Sequence, residues 1–422
     1  MKRLLMVMNG RTIGHLDQDD RGKTTLTAPP MEGVPRLSLA FEPSTRPIPP
    51  RLTRAYIEGL LPENSEVRSA TARRTGANAN NPFSLLEKIG MDCPGAVQFI
   101  PEDPAGRNED DALVPIDEER IAARLRESVS SPASPWIAEG EHWSLGGQQS
   151  KFALRLENDR WFEARGSQAT THIFKPGIPG LNDHALLEHL TMRALLLAGR
   201  VLGPTMPFPL IAESAFKLFD NIPTIVVTRY DRYRDHAGTL YRLHQEDFCQ
   251  STSTLPDRKY EVTPTRIVSA LRRTGTAEEQ IDLFARGVLL NWIVAAPDGH
   301  AKNFSAILTD GSAVFAHMYD VATGLGQSIP YEKLAMGIGG KKAMSQVRRD
   351  HVLRFAEALD VDGDSLLDFV AACALVVPEA FAIAVEELSD TAPAESLSRI
   401  RDVEELLRSH CEGISRRLAT TR

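Results

Sequence analysis

Val288 to Ala296 is almost wholly apolar and runs directly into Pro297-Asp298-Gly299-His300-Ala301-Lys302-Asn303. A helix that is apolar on every face is buried, so this stretch predicts the central helix of a lobe with a polar loop at its end. Phe304 to Leu308 and Val314 to Met318 flank Asp310-Gly311 and predict a hairpin, after which comes Tyr319-Asp320. The order is an aspartate, an asparagine five residues on, and a second aspartate one hairpin later. Phosphoryl transfer in the kinase manner needs that set: one carboxylate for the hydroxyl proton, and an amide and a carboxylate to hold magnesium against ATP phosphates. A lone D-x-x-x-x-N is weak, and the helix before it and strands after it give it weight.

The rest of the chain divides around this centre. Leu4 to Met8 and Thr12 to Leu16 flank Asn9-Gly10, a type I′ hairpin pair. A strand at Leu37 to Phe41, helices at Thr53–Leu61, Ser65–Arg74 and Phe83–Ile89, and a strand at Ala96 to Phe99 complete a small α+β unit over 1–110. Pro101 to Asp111 reads as a loop, and a linker with one short helix, Ile116 to Arg126, spans 111–142. Residues 143–230 predict a sheet with one inserted helix: strands at Lys151–Leu156, Trp161–Ala164, Thr170–Lys175, Phe208–Ala212 and Thr224–Thr228, and the helix at Asp183–Ala198. Residues 231–422 read as helical, with Thr276 and Glu279 as a capping box opening the helix that ends in the apolar run. The expected fold class is α+β, bilobal and protein-kinase-like: a β-rich N-lobe with an extra N-terminal subdomain, and an all-α C-lobe.

Composition restricts function mainly by exclusion. The net charge of −8 argues against this chain being a nucleic-acid binder by itself. The four cysteines are scattered with no C-x-x-C, so they predict buried free thiols rather than a disulfide framework or zinc site. The apolar start before Asn9 is too short for a signal-peptide core, and no run reads as a transmembrane helix. The expectation is a cytoplasmic protein without a membrane partner.

Several segments together closely resemble the HipA family of toxin–antitoxin serine/threonine kinases. They are Ser144-Leu145-Gly146-Gly147-Gln148-Gln149-Ser150-Lys151; Thr171 to Lys175; Arg229-Tyr230-Asp231-Arg232; Gln245 to Gln250; Lys259-Tyr260-Glu261; Asp298 to Asn303; Tyr319-Asp320-Val321; and Lys333 to Gly337. Gly59-Leu60-Leu61-Pro62-Glu63 and Asp92-Cys93-Pro94-Gly95-Ala96 resemble the family's N-terminal subdomain.

The resemblance implies roles for named residues. Asp298 is the expected general base, His300 holds the loop's geometry, and Lys302 approaches the transferred phosphate as a point charge. Asn303 and Asp320 are the expected magnesium ligands. Lys175 is the expected clamp on the α- and β-phosphates, with Glu188 as a candidate partner. Gly146 and Gly147 would cover the phosphates, with Gln148, Gln149 and Lys151 also at the nucleotide. Thr228 and Tyr230 occupy the lobe connection where adenine is expected; relatives have glutamate in place of Thr228. Ser144 matches the family's autophosphorylated serine. Asp231, Gln245 to Gln250 and Lys259 to Glu261 read as structural.

The implied cofactors are ATP and Mg2+. The implied partners are an aminoacyl-tRNA synthetase substrate, typically glutamyl-tRNA synthetase, and a helix-turn-helix, HipB-like antitoxin through which DNA is reached. Two other readings stay open: a small-molecule kinase of aminoglycoside-phosphotransferase type, and a catalytically silent co-repressor that binds the antitoxin.

Overall fold

The computed structural model describes residues 1–102, 111–131, 134–327 and 332–419. Most of the 101–111 loop and part of the 130–135 break lie outside them. The N-terminal subdomain contains β1 (Lys2–Met8), β2 (Arg11–Gln18), β3 (Thr24–Thr27), α1 (Pro50–Gly59), α2 (Ser65–Thr75), α3 (Pro82–Ile89) and β4 (Val97–Pro101). Its antiparallel sheet runs β3-β2-β1-β4. The expected hairpin forms at Asn9-Gly10, both with positive φ, and Leu4, Met6 and Met8 alternate into the core. Leu37 to Phe41 is not a strand. Its three large apolar side chains are buried, but its backbone is held by side chains of the C-lobe: the Leu39 N–H donates to Glu246 and the Leu37 carbonyl faces His244 Nε2.

The small lobe follows with β5 (Leu113–Pro115), α4 (Glu118–Ser130), β6 (Phe152–Glu157), β7 (Arg160–Ala164), β8 (His172–Pro176), α5 (His184–Leu202), β9 (Ser214–Phe219) and β10 (Ile222–Thr228). The sheet order is β5-β7-β6-β8-β10-β9. The strand expected at Phe208–Ala212 is absent; only Ile211 forms a bridge, with Met318. Pro207 and Pro209 remove ladder donors there. The strand lies instead at β9, which the positive-φ pair Asp220-Asn221 turns into β10.

The C-lobe holds β11 (Arg232–Arg234), β12 (Leu240–Arg242), β13 (Gln245–Asp247), α6 (Phe248–Ser251), α7 (Pro264–Arg273), α8 (Glu278–Ile293), β14 (Ser305–Thr309), β15 (Ser312–Phe315), β16 (Lys333–Ile338), β17 (Lys341–Ala343), α9 (Arg349–Leu359), α10 (Gly363–Glu386) and α11 (Ala394–Ala419). It is helical in bulk, and the all-α reading leaves out the short ladders β11-β12, β13-β14-β15 and β16-β17. The expected capping box also fails. Ala277 precedes α8 without a side-chain cap, and the buried Thr276 hydroxyl has no partner. The Thr276 N–H instead donates to the Leu271 carbonyl, so that residue closes α7.

Contrary to the reading of no membrane-length run, α10 is long and apolar enough to cross a bilayer by length and composition alone. It packs on α5, α8, α9 and α11 through Leu366, Phe369, Val370, Cys373, Val377 and Phe381, as the core helix of its lobe. All four cysteines are free and buried.

An ion network joins the N-terminal subdomain to the lobe connection. Asp92 meets Arg229 at 3.3 Å, Arg232 at 2.8 Å and Arg242 at 2.9 Å, while Asp231 accepts from Arg229 and from the Gly95 N–H. Burial opposes charge on Asp92, yet the three guanidinium groups hold its carboxyl well below the usual carboxylate range.

Candidate active site

Strand alternation places Lys175. In β8, Phe174 points into the aromatic cluster with Phe152, Trp161 and Phe219, so its neighbour Lys175 faces the cleft. Its Nζ lies 2.5 Å from Glu188 Oε1 on α5 and 2.6 Å from Asp320 Oδ1. Burial works against the lysine's charge, but Asp320 and Glu188 outweigh it and raise its pKa. Asp320 is held well below its ordinary value: burial raises it, and Lys175 and Lys151 prevail. For Glu188 burial dominates and the carboxyl is pushed up.

The loop that bears Asp298 leaves α8 through Ala295, whose φ of 52° turns the chain. Asp298 is 62% exposed at the side chain and accepts a hydrogen bond from Tyr260 Oη at 2.6 Å. The Asn303 side-chain nitrogen donates to the Asp298 carbonyl at 3.0 Å, which leaves its amide oxygen as the available donor to a cation. The His300 N–H donates to the Asp298 carbonyl and the His300 carbonyl accepts from the Asn303 N–H. The imidazole is buried, its Nδ1 has no partner among the described residues, its Nε2 lies 3.9 Å from Asp298 Oδ2, and burial lowers its pKa against the pull of that carboxylate. Asn303 and Asp320 line one cleft with Asp298. One amide oxygen and one carboxylate fit magnesium, which takes few protein ligands and keeps phosphate oxygens and waters.

Lys302 is committed more deeply than a free point charge. Its ammonium meets Asp247 Oδ2 at 2.6 Å and the Gly59 carbonyl at 3.2 Å. It remains against the loop at Gly146 and Gly147, 3.5 Å from where a Cβ on Gly146 would stand. Gly147 has φ +98°, and an added Cβ would come within 2.7 Å of Lys151 Nζ, so glycine is required there. Lys151 donates to the Gly146 carbonyl, and burial and Lys175 push its pKa down to about 8. Gln149 donates to the Pro176 carbonyl, and Gln148 lines the cleft beside it. Ser144 lies one turn away, 1% exposed, its hydroxyl donating to the Leu60 carbonyl at 2.6 Å.

The cleft has a volume of about 860 Å³. Thr228 and Tyr230 line it with Ile173, Val227 and Ala212. The Thr228 N–H is used by the Glu213 carbonyl, and Tyr230 stacks on His317 and Tyr319 with centroids 5.4 and 5.7 Å away.

Three residues read as structural, or passed over, stand inside this site. Asp247 pairs with Lys302, Glu63 pairs with Lys259 at 2.9 Å, and Tyr260 touches Asp298. Each contact spans tens to hundreds of residues of chain, for which local spacing carries no signal.

Two family models match the chain: the HipA N-terminal domain over residues 4–100 and the HipA-like C-terminal domain over residues 143–393. The putative kinase Y4mE of Sinorhizobium fredii is 33% identical over 371 residues, covering 84% of each chain. The serine/threonine-protein kinase toxin HipA of Shewanella oneidensis is 25% identical over 346 residues, 78% of this chain and 76% of its own. Among solved structures, the Shewanella oneidensis MR-1 complex of HipA, HipB and operator DNA superposes with a TM-score of 0.81 at 21% identity, covering 97% of both chains.

Proposed function

The chain belongs to the HipA family, and from that premise we propose that it is an ATP- and magnesium-dependent serine/threonine protein kinase acting as the toxin of a toxin–antitoxin pair. The carrying observation is the convergence of Asp298, Asn303 and the Lys175–Asp320 pair on one cleft. Asp298 is the more exposed carboxylate of the set and accepts the proton of an incoming hydroxyl. Lys175 orients the nucleotide phosphates, and its pair with Glu188 holds the ammonium in place. Asn303 and Asp320 would hold magnesium, which would supply charge neutralisation at the phosphates. His300 stays neutral and fixes the loop backbone.

The substrate is an aminoacyl-tRNA synthetase, glutamyl-tRNA synthetase first, whose phosphorylation stops translation and growth. Ser144 is the self-phosphorylation site: a phosphate there adds about −1.5 to −2 charge, which cannot remain in the buried contact with Leu60 and repels the nucleotide phosphates. A HipB-like helix-turn-helix antitoxin binds the kinase and carries the complex to its operator, a reading supported by the composition of the Shewanella assembly. The chain's net charge of −8 agrees with DNA contact made by the partner.

The test is transfer of labelled phosphate from ATP, with magnesium, to the protein itself and to glutamyl-tRNA synthetase. Label that disappears in Asp298→Asn supports the reading. Absence of label in every arm, from protein shown by mass spectrometry to be unphosphorylated, overturns it.

A further inference from the structure

We propose that Tyr260 is a positioning residue for phosphoryl transfer, and that the N-terminal subdomain holds it on Asp298 through the Glu63–Lys259 ion pair. This rests on Asp298 being the proton acceptor. Tyr260 lies in the helical turn Pro256–Glu261, and half of its surface is exposed. Its hydroxyl donates to Asp298 Oδ1 at 2.6 Å, and its ring meets the His300 imidazole edge-on at 5.0 Å. Asp298 is otherwise a largely exposed side chain, with His300 Nε2 3.9 Å from its Oδ2. One hydrogen bond to Oδ1 selects a rotamer and presents Oδ2 to the acceptor hydroxyl, which is how a positioning group contributes to rate.

The turn that carries Tyr260 is anchored by an ion pair as well as by apolar packing at Pro256 and Val262. Within the turn only Pro256 and Lys259 are buried. A lysine is buried only when paired, and the partner of Lys259 is Glu63 Oε2 at 2.9 Å, from the segment after α1. Glu63 is itself buried, with Lys302, Lys259 and Lys151 together holding its carboxyl low against burial. Its N–H donates to the Gly147 carbonyl at 2.9 Å. A continuous line of contacts therefore runs from the phosphate-covering loop through Glu63, Lys259 and Tyr260 to the base. The N-terminal subdomain becomes part of the catalytic machinery as well as an addition to it.

The experiment measures ADP formation with magnesium at varied ATP, which reports transfer to any acceptor. Wild type, Tyr260→Phe, Glu63→Gln, the double variant and Asp298→Asn are compared, each with its melting temperature recorded. Tyr260→Phe should lower kcat about tenfold, the loss of one oriented hydrogen bond, while KM for ATP stays within about twofold. Glu63→Gln should lower kcat in the same direction, and the double variant should be no slower than Tyr260→Phe, because both act on one contact. An unchanged or faster Tyr260→Phe beside an inactive Asp298→Asn overturns the proposal and leaves the base assignment standing. Losses that multiply in the double variant overturn the link through the N-terminal subdomain. An Asp298→Asn variant as active as wild type overturns the base assignment itself, and the proposal with it.

Discussion

The Ser144 hydroxyl donates to the Leu60 carbonyl across 2.6 Å, and the serine is 1% exposed. The loop at Gly146 and Gly147 is thereby tied to the N-terminal subdomain, and on the function proposed above Ser144 would have to leave this contact to accept a phosphate. Ser144→Ala leaves one buried carbonyl unpaired, which costs about 1–3 kcal/mol of unfolding free energy and should leave nucleotide binding within about twofold of wild type. Ser144→Glu cannot donate and carries charge, so it should drive the loop out and weaken Mg-ATP binding by about tenfold or more. Calorimetric titration with a non-hydrolysable ATP analogue decides it: equal affinity for Ser144→Glu and wild type would remove the loop-release idea.

Lys175 stands between a buried carboxyl and an accessible one. Lys175→Met strands Glu188 without its hydrogen-bonded cation, so it should abolish turnover and lower stability by about 3 kcal/mol, the usual cost of breaking a buried pair. Adding Glu188→Gln removes the stranded acid and should recover about 1 kcal/mol or more of that loss without restoring activity. Urea unfolding of the single and double variants is the measurement; a double variant less stable than Lys175→Met would show that Glu188 is anchored by something other than the lysine.

The parts of this site legible in the sequence are those carried by one element or by neighbouring ones. Asp298 and Asn303 sit on one loop, Asp320 follows one hairpin, and the period-2 pattern of β8 sets Lys175 toward the cleft. Residue types alone do not pair Lys302 with Asp247, or Lys259 with Glu63, because the fold brings those segments together from 55 and 196 residues apart. The misplaced strands have local causes too. Leu37 to Phe41 alternates like a strand yet fills a seam between subdomains, and the prolines at 207 and 209 displace the ladder to β9.

The Asp92 network predicts sensitivity to acid. Its folded pKa is depressed, so its stabilisation is present above the unfolded value of about 4 and is lost as pH falls toward the folded one. Asp92→Asn leaves Arg229 and Arg232 to share Asp231, takes from Arg242 its carboxylate partner, and should cost about 3–5 kcal/mol at pH 7. The gap between wild type and variant should narrow below about pH 4. Chemical denaturation at pH 7 and pH 3.5 measures both quantities, and a gap independent of pH would mean that packing, not charge, explains the loss.

Glu246 responds in the opposite sense. It is fully buried; Oε1 accepts from the Leu39 N–H and the Ser251 hydroxyl, the Ser38 side chain also favours the charged form, and Oε2 has no partner among the described residues. The nearby Tyr56 hydroxyl is also buried without one, and its negative form is disfavoured by burial and by Glu246. Burial pushes the Glu246 carboxyl up to about 7, against the hydrogen bonds that favour its charge. Between the unfolded value of about 4.3 and that folded value, the native state holds a proton that the unfolded state has lost. Stability therefore falls as pH rises through this window, and the penalty is fully present above it. Glu246→Gln keeps the Oε1 acceptor and removes the charge, so it should match wild type near pH 4 and exceed its stability at pH 8. Unfolding free energies of the two proteins from pH 4 to 8 test this: curves that run parallel would mean that Glu246 keeps its charge in the folded protein.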